Sequence, residues 1–167
     1  MTDNPINKAK REKIVPAILA AIVNDNKILL LHRTKKPYQG YWGLIGGKIE
    51  FGEHVEDTAL REVFEETGLR CKIEAIKGIA TELLHTDHET ENHFIFFIIQ
   101  LTPETIEVVE SDEGKLGWFR FDELDKIKIT PSDSIMIKEF ILKKNNMKVH
   151  KIKVKRDGEN YDVEEFV

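Results

Sequence analysis

The segment from Gly47 to Leu69 constrains the fold of this chain more than any other part of the sequence. Apolar side chains recur at helical spacing over residues 54–67, and Gly68 suits the position just after a helix, where a left-handed backbone is common. The spacing therefore predicts a helix over residues 54–67. Its apolar stripe is predicted to contain Val55, Ala59, Leu60, Val63 and Phe64.

The same segment carries the charge imbalance of the whole chain. The 167 residues hold 25 Lys and Arg against 30 Asp and Glu, which gives a net charge of −5. Residues 47–69 contain seven of these acids and two of these bases, so the remaining sequence is neutral. An acidic run of this kind fits either a solvated helix face or a site that binds cations.

Three of these acids, Glu62, Glu65 and Glu66, share an arc of about 100° on the predicted helix, because residues three and four apart are helix neighbours. Carboxylates at this spacing repel each other, and the position of Glu66 at the edge of the apolar stripe adds a cost of partial burial. Divalent cations explain the clustering, since Mg²⁺ binds one or two protein carboxylates and keeps positions open for substrate phosphates. The arc therefore predicts a metal site.

The remaining sequence predicts one α/β domain. We expect flexible residues 1–13 and a single domain over residues 14–167, with a mixed sheet and helices packed on it. Residues 33–47 are predicted to form a Gly-rich loop. The predicted strands cover residues 14–23, 27–32, 48–51, 72–84, 93–101 and 116–121. A second helix is predicted from Pro131 to about Lys144, followed by a hairpin that turns at Asp157-Gly158.

Composition excludes several classes of protein. The single cysteine, Cys71, excludes a disulfide framework and a thiolate zinc cage, and we expect it at a buried apolar position. No apolar run is long enough for a transmembrane helix, and the first residues lack the apolar core of a signal peptide. We therefore expect a cytoplasmic location. Neither the spacing of His85, His88 and His93 nor the basic run at residues 143–156 predicts a zinc site or a nucleic-acid surface.

The acidic segment resembles the complete signature of the Nudix hydrolases. The pattern is Gly47, five residues, Glu53, seven residues, Arg61-Glu62, an aliphatic residue, one residue, Glu65-Glu66, one residue, Gly68 and an aliphatic residue. A chance match in a chain of average composition is on the order of 10⁻⁸ to 10⁻⁷. The resemblance implies a Nudix α/β/α sandwich with a mixed central sheet and a C-terminal β-hairpin. It also implies hydrolysis of a nucleoside diphosphate linked to another group, with Mg²⁺ or Mn²⁺.

The resemblance also implies roles for individual residues. Glu62, Glu65 and Glu66 are implied as metal ligands, one of which acts as the base for the attacking water. The Gly46 carbonyl is implied as a further ligand. Glu53 and Arg61 are implied as a pair that braces the loop against the helix. Ile45 departs from the proline that many members of the family carry there.

Beyond the signature, the chain resembles the MutT-type branch and is most similar to the oxidised-purine nucleoside triphosphatases. In that branch an acid before the Trp118-Phe119 strand joins the metal site, and Glu113 is our first choice and Glu110 the second. The alternative for both is a solvated acidic loop. An acid after that strand reads the purine edge, and Asp133 matches this position or is a helix N-terminal acid favoured by the dipole.

Other candidate substrate contacts lie around the Gly-rich loop. Arg33 and Lys48 flank it, as do Lys35 and Lys36, and these cations are candidates for phosphate binding or else solvated surface. Trp42 and Trp118 offer stacking faces for a base or belong to the core. Gly43 stands where the branch can place an Asn.

We therefore expect an enzyme similar to an 8-oxo-dGTP diphosphatase, which converts a nucleoside triphosphate to a nucleoside monophosphate and pyrophosphate. Its partner is a small-molecule nucleotide, without nucleic acid or membrane, and the protein is a monomer or a homodimer. A pyrophosphatase of ADP-ribose or a nucleotide-sugar is the alternative enzyme. A nucleotide-sensing module without catalysis is the alternative class, and a degenerate signature would indicate it.

Overall fold

The computed structural model describes residues 13–143 and 148–167. For residues 148–151 it describes the backbone alone. Its helices are α1 (Val55–Thr67) and α2 (Pro131–Met136), with a 3₁₀ helix at Phe121–Lys126 and a π-helix at Ile137–Leu142. Its strands are β1 (Ile14–Asn24), β2 (Lys27–Arg33), β3 (Trp42–Gly43), β4 (Ile45–Lys48), β5 (Cys71–His85), β6 (Thr90–Pro103), β7 (Gly114–Arg120), β8 (Lys148–Asp157) and β9 (Asn160–Phe166).

One mixed sheet contains these strands in the order β3-β2-β1-β6-β5-β8-β9, with β4 paired to β1 and β7 paired to β2. Strand β1 runs parallel to β6, and β5 runs parallel to β8, whereas the β1–β2, β5–β6 and β8–β9 pairs are antiparallel. The final hairpin turns through Gly158, whose φ is 62°. These features confirm the predicted α/β/α sandwich and the predicted hairpin at Asp157-Gly158.

Two apolar cores lie on opposite faces of the sheet, because alternate side chains of a strand point to opposite sides. The core beneath α1 contains Ile18, Ala20, Ile22, Leu29, Ile45, Ala59, Val63, Leu69, Ile99 and Leu101. The core beneath α2 and the π-helix includes Leu19, Ala21, Leu30, Leu44, Leu84, Met136, Ile137, Phe140 and Val154. Each helical layer therefore covers one face of the sheet.

Strand β1 changes its neighbour along its length, and this change positions the candidate site. Its last residues pair with β2, with Val23 opposite Ile28, whereas residues 17–20 pair with β4. The two strands on this side of β1 therefore separate. Gly46 and Gly47 of β4 lie opposite Leu19 and Ile18, respectively, close to the centre of the sheet.

Helix α1 confirms the predicted helix and its end. Gly68 has a left-handed φ of 71°, and its N–H donates to the carbonyl of Phe64. The predicted apolar stripe is partly wrong, because Leu60 and Phe64 are exposed. Polar residues take their place on the buried face, including Thr67, whose hydroxyl donates to the Val63 carbonyl at 2.6 Å. A threonine that satisfies its own hydroxyl in this way can face the sheet.

Other local predictions also change. The predicted strand over residues 48–51 is wrong, because β4 ends at Lys48 and Phe51 lies in an exposed turn. Strand β4 was not predicted and falls largely within the predicted loop, because two of its residues are glycines, which have a low strand propensity. The helix from Pro131 is α-helical to Met136 and then continues as a π-helix. Its predicted end at Lys144 and residues 1–12 of the predicted flexible start lie outside the described residues.

Within residues 13–143 and 148–167, no helix combines the length and the apolar character needed to cross a bilayer.

Candidate functional site

Two glycines of β4 permit close contacts, Gly47 with α1 and Gly46 with β1. A Cβ atom at Gly47 would overlap the carboxylate carbon and both oxygens of Glu62, and one at Gly46 would overlap the carbonyl oxygen of Ile18. Only glycine lacks this atom. The missing Cβ atom at Gly47 therefore lets the Glu62 carboxylate lie directly against the backbone of β4.

Arg61 and Glu53 form a bidentate ion pair where the chain enters α1. Arg61 Nε donates to Glu53 Oε1 at 2.6 Å, and Nη2 donates to Oε2 at 2.8 Å. The Thr58 hydroxyl also donates to Glu53 Oε2, at 2.8 Å. The hydrogen bonds from Arg61 and then Thr58 lower the pKa of Glu53 to about 2. Arg61 Nη2 further donates to the Lys48 carbonyl at 3.4 Å, which links the end of β4 to the helix.

The Arg61 guanidinium also contacts two of the three predicted metal ligands. Its Nη1 donates to Glu62 Oε1 at 2.8 Å and to Glu65 Oε2 at 3.2 Å. The Glu65 side chain is 58% exposed, so water screens this pair. The Arg61 guanidinium thus partly neutralises three carboxylates, those of Glu53, Glu62 and Glu65. It also holds Glu62 in a defined orientation.

Glu66 is the predicted ligand for which no contact with Arg61 is observed. The residue is 9% exposed, and its Oε2 is buried without a hydrogen-bonding partner in the described part of the chain. Burial first, and then repulsion from Glu62 and Glu113, raises the pKa of Glu66 to about 8. A buried carboxylate is destabilising unless a donor or a cation compensates it. The unpartnered oxygen and the neighbouring carboxylates are therefore donors of the chemical type that Mg²⁺ binds.

The acidic side chains are near each other but do not surround a common point. In the described ranges, no three His, Cys, Asp or Glu side chains are arranged so that they could hold a metal ion. Glu62 and Glu65 turn toward Arg61 instead. The Gly46 carbonyl remains a predicted ligand.

Glu113 lies within electrostatic reach of this cluster, since its charge raises the pKa of Glu66. Its Oε1 accepts a hydrogen bond from Lys35 Nζ at 2.6 Å. Glu110 Oε1 instead accepts from the backbone N–H of Leu116 at 3.2 Å. The arrangement favours Glu113 over Glu110 as the further acid.

A pocket of about 340 Å³ opens beside Gly46 and Gly47. It is lined by parts of β1, β4, β5 and β6, by residues 36–38 and by the start of α2. Its apolar walls include Ala17, Leu19, Phe94 and Phe96, and its charged residues are Arg33, Lys36, Lys48, Glu82 and Asp133. The pocket therefore combines apolar walls with a few polar groups, as small-molecule sites do.

Asp133 lies both in the first turn of α2 and in this pocket. Its Oδ2 accepts a hydrogen bond from the Leu44 N–H at 2.7 Å, and the residue is 8% exposed. A Cβ atom at Gly43 would lie 2.8 Å from the same oxygen. Gly43, which stands where the MutT-type branch can place an Asn, therefore leaves room for the Asp133 carboxylate. Burial raises the pKa of Asp133, while the Leu44 hydrogen bond opposes the shift.

Arg33 lies between the pocket and the acidic helix. It lines the pocket, and its Nε donates to the Pro37 carbonyl at 3.1 Å. Its positive charge acts to lower the pKa values of Glu66, Glu82 and Asp133, which places it near both groups of acids. Lys48 lines the same pocket, whereas Lys35 pairs with Glu113.

The structure does not bring the two tryptophans to this pocket. The Trp42 ring packs edge-on against Phe119 with centroids 4.7 Å apart and lies 5.0 Å from the His32 ring. Trp118 Nε1 donates to the Ile106 carbonyl at 3.1 Å, and its ring packs against the core beneath α1. Both residues are half-buried, and their stacking role stays a prediction.

Sequence reasoning missed several pocket residues, above all Glu82 and Tyr38. Glu82 lies on the buried face of β5 between Ala80 and Leu84, and the Tyr38 hydroxyl donates to its Oε1 at 3.0 Å. The signal in the sequence was an acid at a position where a period of two calls for an apolar residue. Phe94 and Phe96, whose rings stack 5.0 Å apart, show the same spacing on β6.

Two further predictions concern residues outside the site. Cys71 is half-buried and packs against the core beneath α1, and burial raises the pKa of its thiol to about 11. The His85 ring lies within hydrogen-bonding distance of Glu164 Oε2, at 2.9 Å, and of the Thr86 carbonyl, at 3.0 Å.

Comparison with known proteins adds independent information. A family model described as the NUDIX domain matches residues 13–140. The ADP-ribose pyrophosphatase of Methanocaldococcus jannaschii is 33% identical over 129 residues, which cover 77% of this chain and 74% of that protein. The oxidized purine nucleoside triphosphate hydrolase of Mus musculus is 28% identical over 128 residues, 75% of this chain and 79% of that protein.

The fold is also similar to solved structures. The MutT protein of Bacillus halodurans matches with a TM-score of 0.71 at 23% identity, over 92% of this chain and 96% of that chain. At this identity the likeness concerns the fold. Because the family model matches well over half of the chain, and because the acidic helix, its Arg61–Glu53 pair and the sandwich are all present, the chain belongs to the Nudix family of hydrolases.

Proposed function

We propose that the protein hydrolyses a purine nucleoside triphosphate, with an oxidised purine as the candidate base, to a nucleoside monophosphate and pyrophosphate. The observation that carries the proposal is the continuity of pocket and acidic helix. Gly46 and Gly47 line the pocket, Gly47 also lies against Glu62, and the charge of Arg33 acts on acids of both the pocket and the helix. A nucleotide with its base in the pocket can therefore extend its phosphates toward α1.

The charges in the pocket support this orientation. Glu82 and Asp133 are buried acids that would repel a phosphate, whereas their oxygens can accept hydrogen bonds from a base. Arg33 and Lys48 line the same pocket and can bind phosphate oxygens. We therefore propose that the nucleobase lies beside Glu82 and Asp133 and that the phosphates lie beside Arg33 and Lys48.

Nudix hydrolases use divalent metal ions, and we propose Mg²⁺, or Mn²⁺, for this chain. Glu62, Glu65 and Glu66 would hold the ions, with Glu113 and the Gly46 carbonyl as further ligands. Bound ions supply Lewis acidity and lower the pKa of water. Arg61 orients Glu62 and Glu65, and one glutamate of the set accepts the proton of the attacking water. Glu53 fixes Arg61 through its bidentate pair.

ADP-ribose is a second candidate substrate, because the archaeal relative that is 33% identical is named an ADP-ribose pyrophosphatase. Its adenine would occupy the same pocket, and the second phosphate would carry the terminal ribose. ADP-ribose enzymes tend to carry a proline soon after the signature, and residues 69–102 contain none. We therefore rank the triphosphate first.

A substrate panel with product identification tests both candidates. Purified protein with Mg²⁺ is assayed against normal and oxidised purine triphosphates, ADP-ribose and dinucleoside polyphosphates. We expect the highest kcat/KM for a purine triphosphate, with pyrophosphate released. Turnover of ADP-ribose alone would replace the proposal with the second candidate.

The variant Asp133→Ala tests the base-reading role of this residue. We expect the ratio of kcat/KM between oxidised and normal purine triphosphates to shrink toward one. An unchanged ratio would remove Asp133 from base recognition, without affecting the assignment of the reaction.

A further inference from the structure

Glu82 is a buried acid that, in the described part of the chain, accepts one hydrogen bond of good geometry, from Tyr38, and has the Ser132 hydroxyl near its carboxyl group. The residue is 1% exposed, and the Tyr38 hydroxyl donates to its Oε1 at 3.0 Å. Its Oε2 is buried and has no hydrogen-bonding partner among residues 13–143 and 148–167. Buried polar atoms in folded proteins are normally paired, so an unpaired carboxyl oxygen requires an explanation.

Among the residues that the structure describes, none forms an ion pair with Glu82. The groups that influence its ionisation are Tyr38, Ser132, Asp133 and the more distant Arg33. Its strand neighbours in the sheet are Phe94 on β6 and Ile152 on β8, which are apolar. Burial is the main reason that the pKa of Glu82 rises to about 7; hydrogen bonding by Ser132 and Tyr38 opposes the rise, and repulsion from Asp133 adds to it.

The position of Glu82 in the pocket suggests what the free oxygen binds. Glu82 and Asp133 line the same pocket as Phe94 and Phe96. A flat ring with N–H groups on one edge matches apolar walls combined with two carboxyl groups. A phosphate would meet two acids here, and an aliphatic chain would leave the Glu82 oxygen unpaired.

We propose that Glu82 is a substrate-contacting residue, which together with Asp133 hydrogen-bonds the polar N–H edge of the nucleobase. Tyr38 is the positioning residue that holds one oxygen of Glu82 and leaves the other directed to the ligand. The inference rests on the proposed function in assuming a nucleotide substrate. It adds a second base-contacting residue, which lies on β5 and lines the same pocket as Asp133.

The competing explanation is a purely structural acid that is buried for the stability of the sheet. That role predicts that a change at Glu82 alters stability and scales the activity toward every substrate equally. A role in base contact predicts an effect that depends on which N–H groups the base carries. Substrates that differ by one such group therefore separate the two explanations.

The test measures kcat and KM of the wild type, Glu82→Gln and Tyr38→Phe on two pairs of triphosphates. The pairs are dGTP with dITP, which lacks the 2-amino group, and dATP with the purine deoxyriboside triphosphate, which lacks the 6-amino group. Glu74→Gln is the matched control, since Glu74 lies on the same strand and is exposed. Melting temperatures confirm that each variant folds.

We expect Glu82→Gln to change the ratio of kcat/KM within at least one pair by roughly 10-fold or more, chiefly through KM, because a hydrogen bond to a charged group is stronger than one to a neutral group. Tyr38→Phe should change the same ratio in the same direction by less. Glu74→Gln should change neither. Equal scaling of all four substrates by Glu82→Gln, or unchanged ratios, would overturn the inference.

A second variant and a second substrate pair keep the test decisive. If Glu82→Gln does not fold, Glu82→Leu replaces the acid with an apolar side chain of similar size, and the same loss of discrimination is expected. If the wild type turns over ADP-ribose and no triphosphate, the proposed reaction fails. The Glu82 assignment is then judged on ADP-ribose against its hypoxanthine analogue, and an unchanged ratio there overturns it.

Discussion

The close contact between Gly47 and Glu62 makes Gly47→Ala a sharp test of the acidic helix. The added Cβ atom would overlap the whole Glu62 carboxylate, which must retreat by more than about 1 Å to reach an ordinary contact distance of about 3.5 Å. Arg61 Nη1 contacts that carboxylate at 2.8 Å, so the movement disturbs this ion pair as well. Misplacement of a catalytic group by about 1 Å can cost about 100-fold in rate.

We therefore expect kcat of Gly47→Ala to fall about 100-fold, with a small change in melting temperature. The overlapping atoms belong to a flexible side chain, so the backbone can remain in place. Steady-state kinetics with saturating Mg²⁺ measure the first effect, and thermal unfolding followed by circular dichroism measures the second.

Gly158→Ala provides the matched control at a distant glycine. Its Cβ atom would meet nothing within 4 Å, but its φ of 62° is unfavourable for alanine. A cost of about 1 kcal/mol corresponds to a melting temperature lower by about 2–4 °C in a chain of this size. This control should lose stability and keep its activity. Near-normal kcat in Gly47→Ala would show that the position of Glu62 is not needed for the reaction.

Three further predictions concern ionisable groups. Glu66→Gln should lower kcat by at least about 100-fold in steady-state assays while the far-ultraviolet circular dichroism is unchanged, because it removes charge that holds the ions. In thermal unfolding, Mg²⁺ should raise the melting temperature of the wild type more than that of Glu66→Gln. Folding raises the pKa of Glu82 from 4.5 to about 7, so the folded state binds more protons than the unfolded state between these pH values. The free energy of unfolding therefore falls as pH rises across this window, by about 3 kcal/mol in total. Urea unfolding at pH 5 and pH 8 should show this loss in the wild type and less of it in Glu82→Gln, and equal losses in both would contradict the shift.

The sequence predicted the parts of the site that depend on local spacing. Helical periodicity placed Glu62, Glu65 and Glu66 on one helix, and Gly68 marked its end, because both signals lie within a few turns of chain. The direction of the buried face was less predictable. Leu60 is exposed while Glu66 is buried, since the face is set by contact with the sheet and not by hydrophobicity alone.

Contacts between distant segments were beyond prediction from one sequence. Tyr38 and Glu82 are 44 residues apart, and they meet because the loop after β2 folds over the sheet near β5. Asp133 meets Leu44 across 89 residues for a similar reason. The resemblance pointed to Asp133 because a short motif carries it, whereas Glu82 lies in no motif and was recognisable only as an acid on an otherwise apolar strand face.

The two interpretations of the acidic run, a solvated helix face and a cation site, make different demands on the three glutamates of α1. A solvated face would leave all of them exposed, and Glu65 alone behaves in this way. Glu62 lies against β4 and is held by Arg61, while Glu66 is buried with an oxygen that no described donor satisfies. A chain under no demand for a cation would gain stability from an apolar residue at position 66, since it would remove both the unpaired oxygen and the repulsion from Glu62. The burial of Glu66 therefore favours the cation site over the solvated face, and the proposed ion would offset its cost.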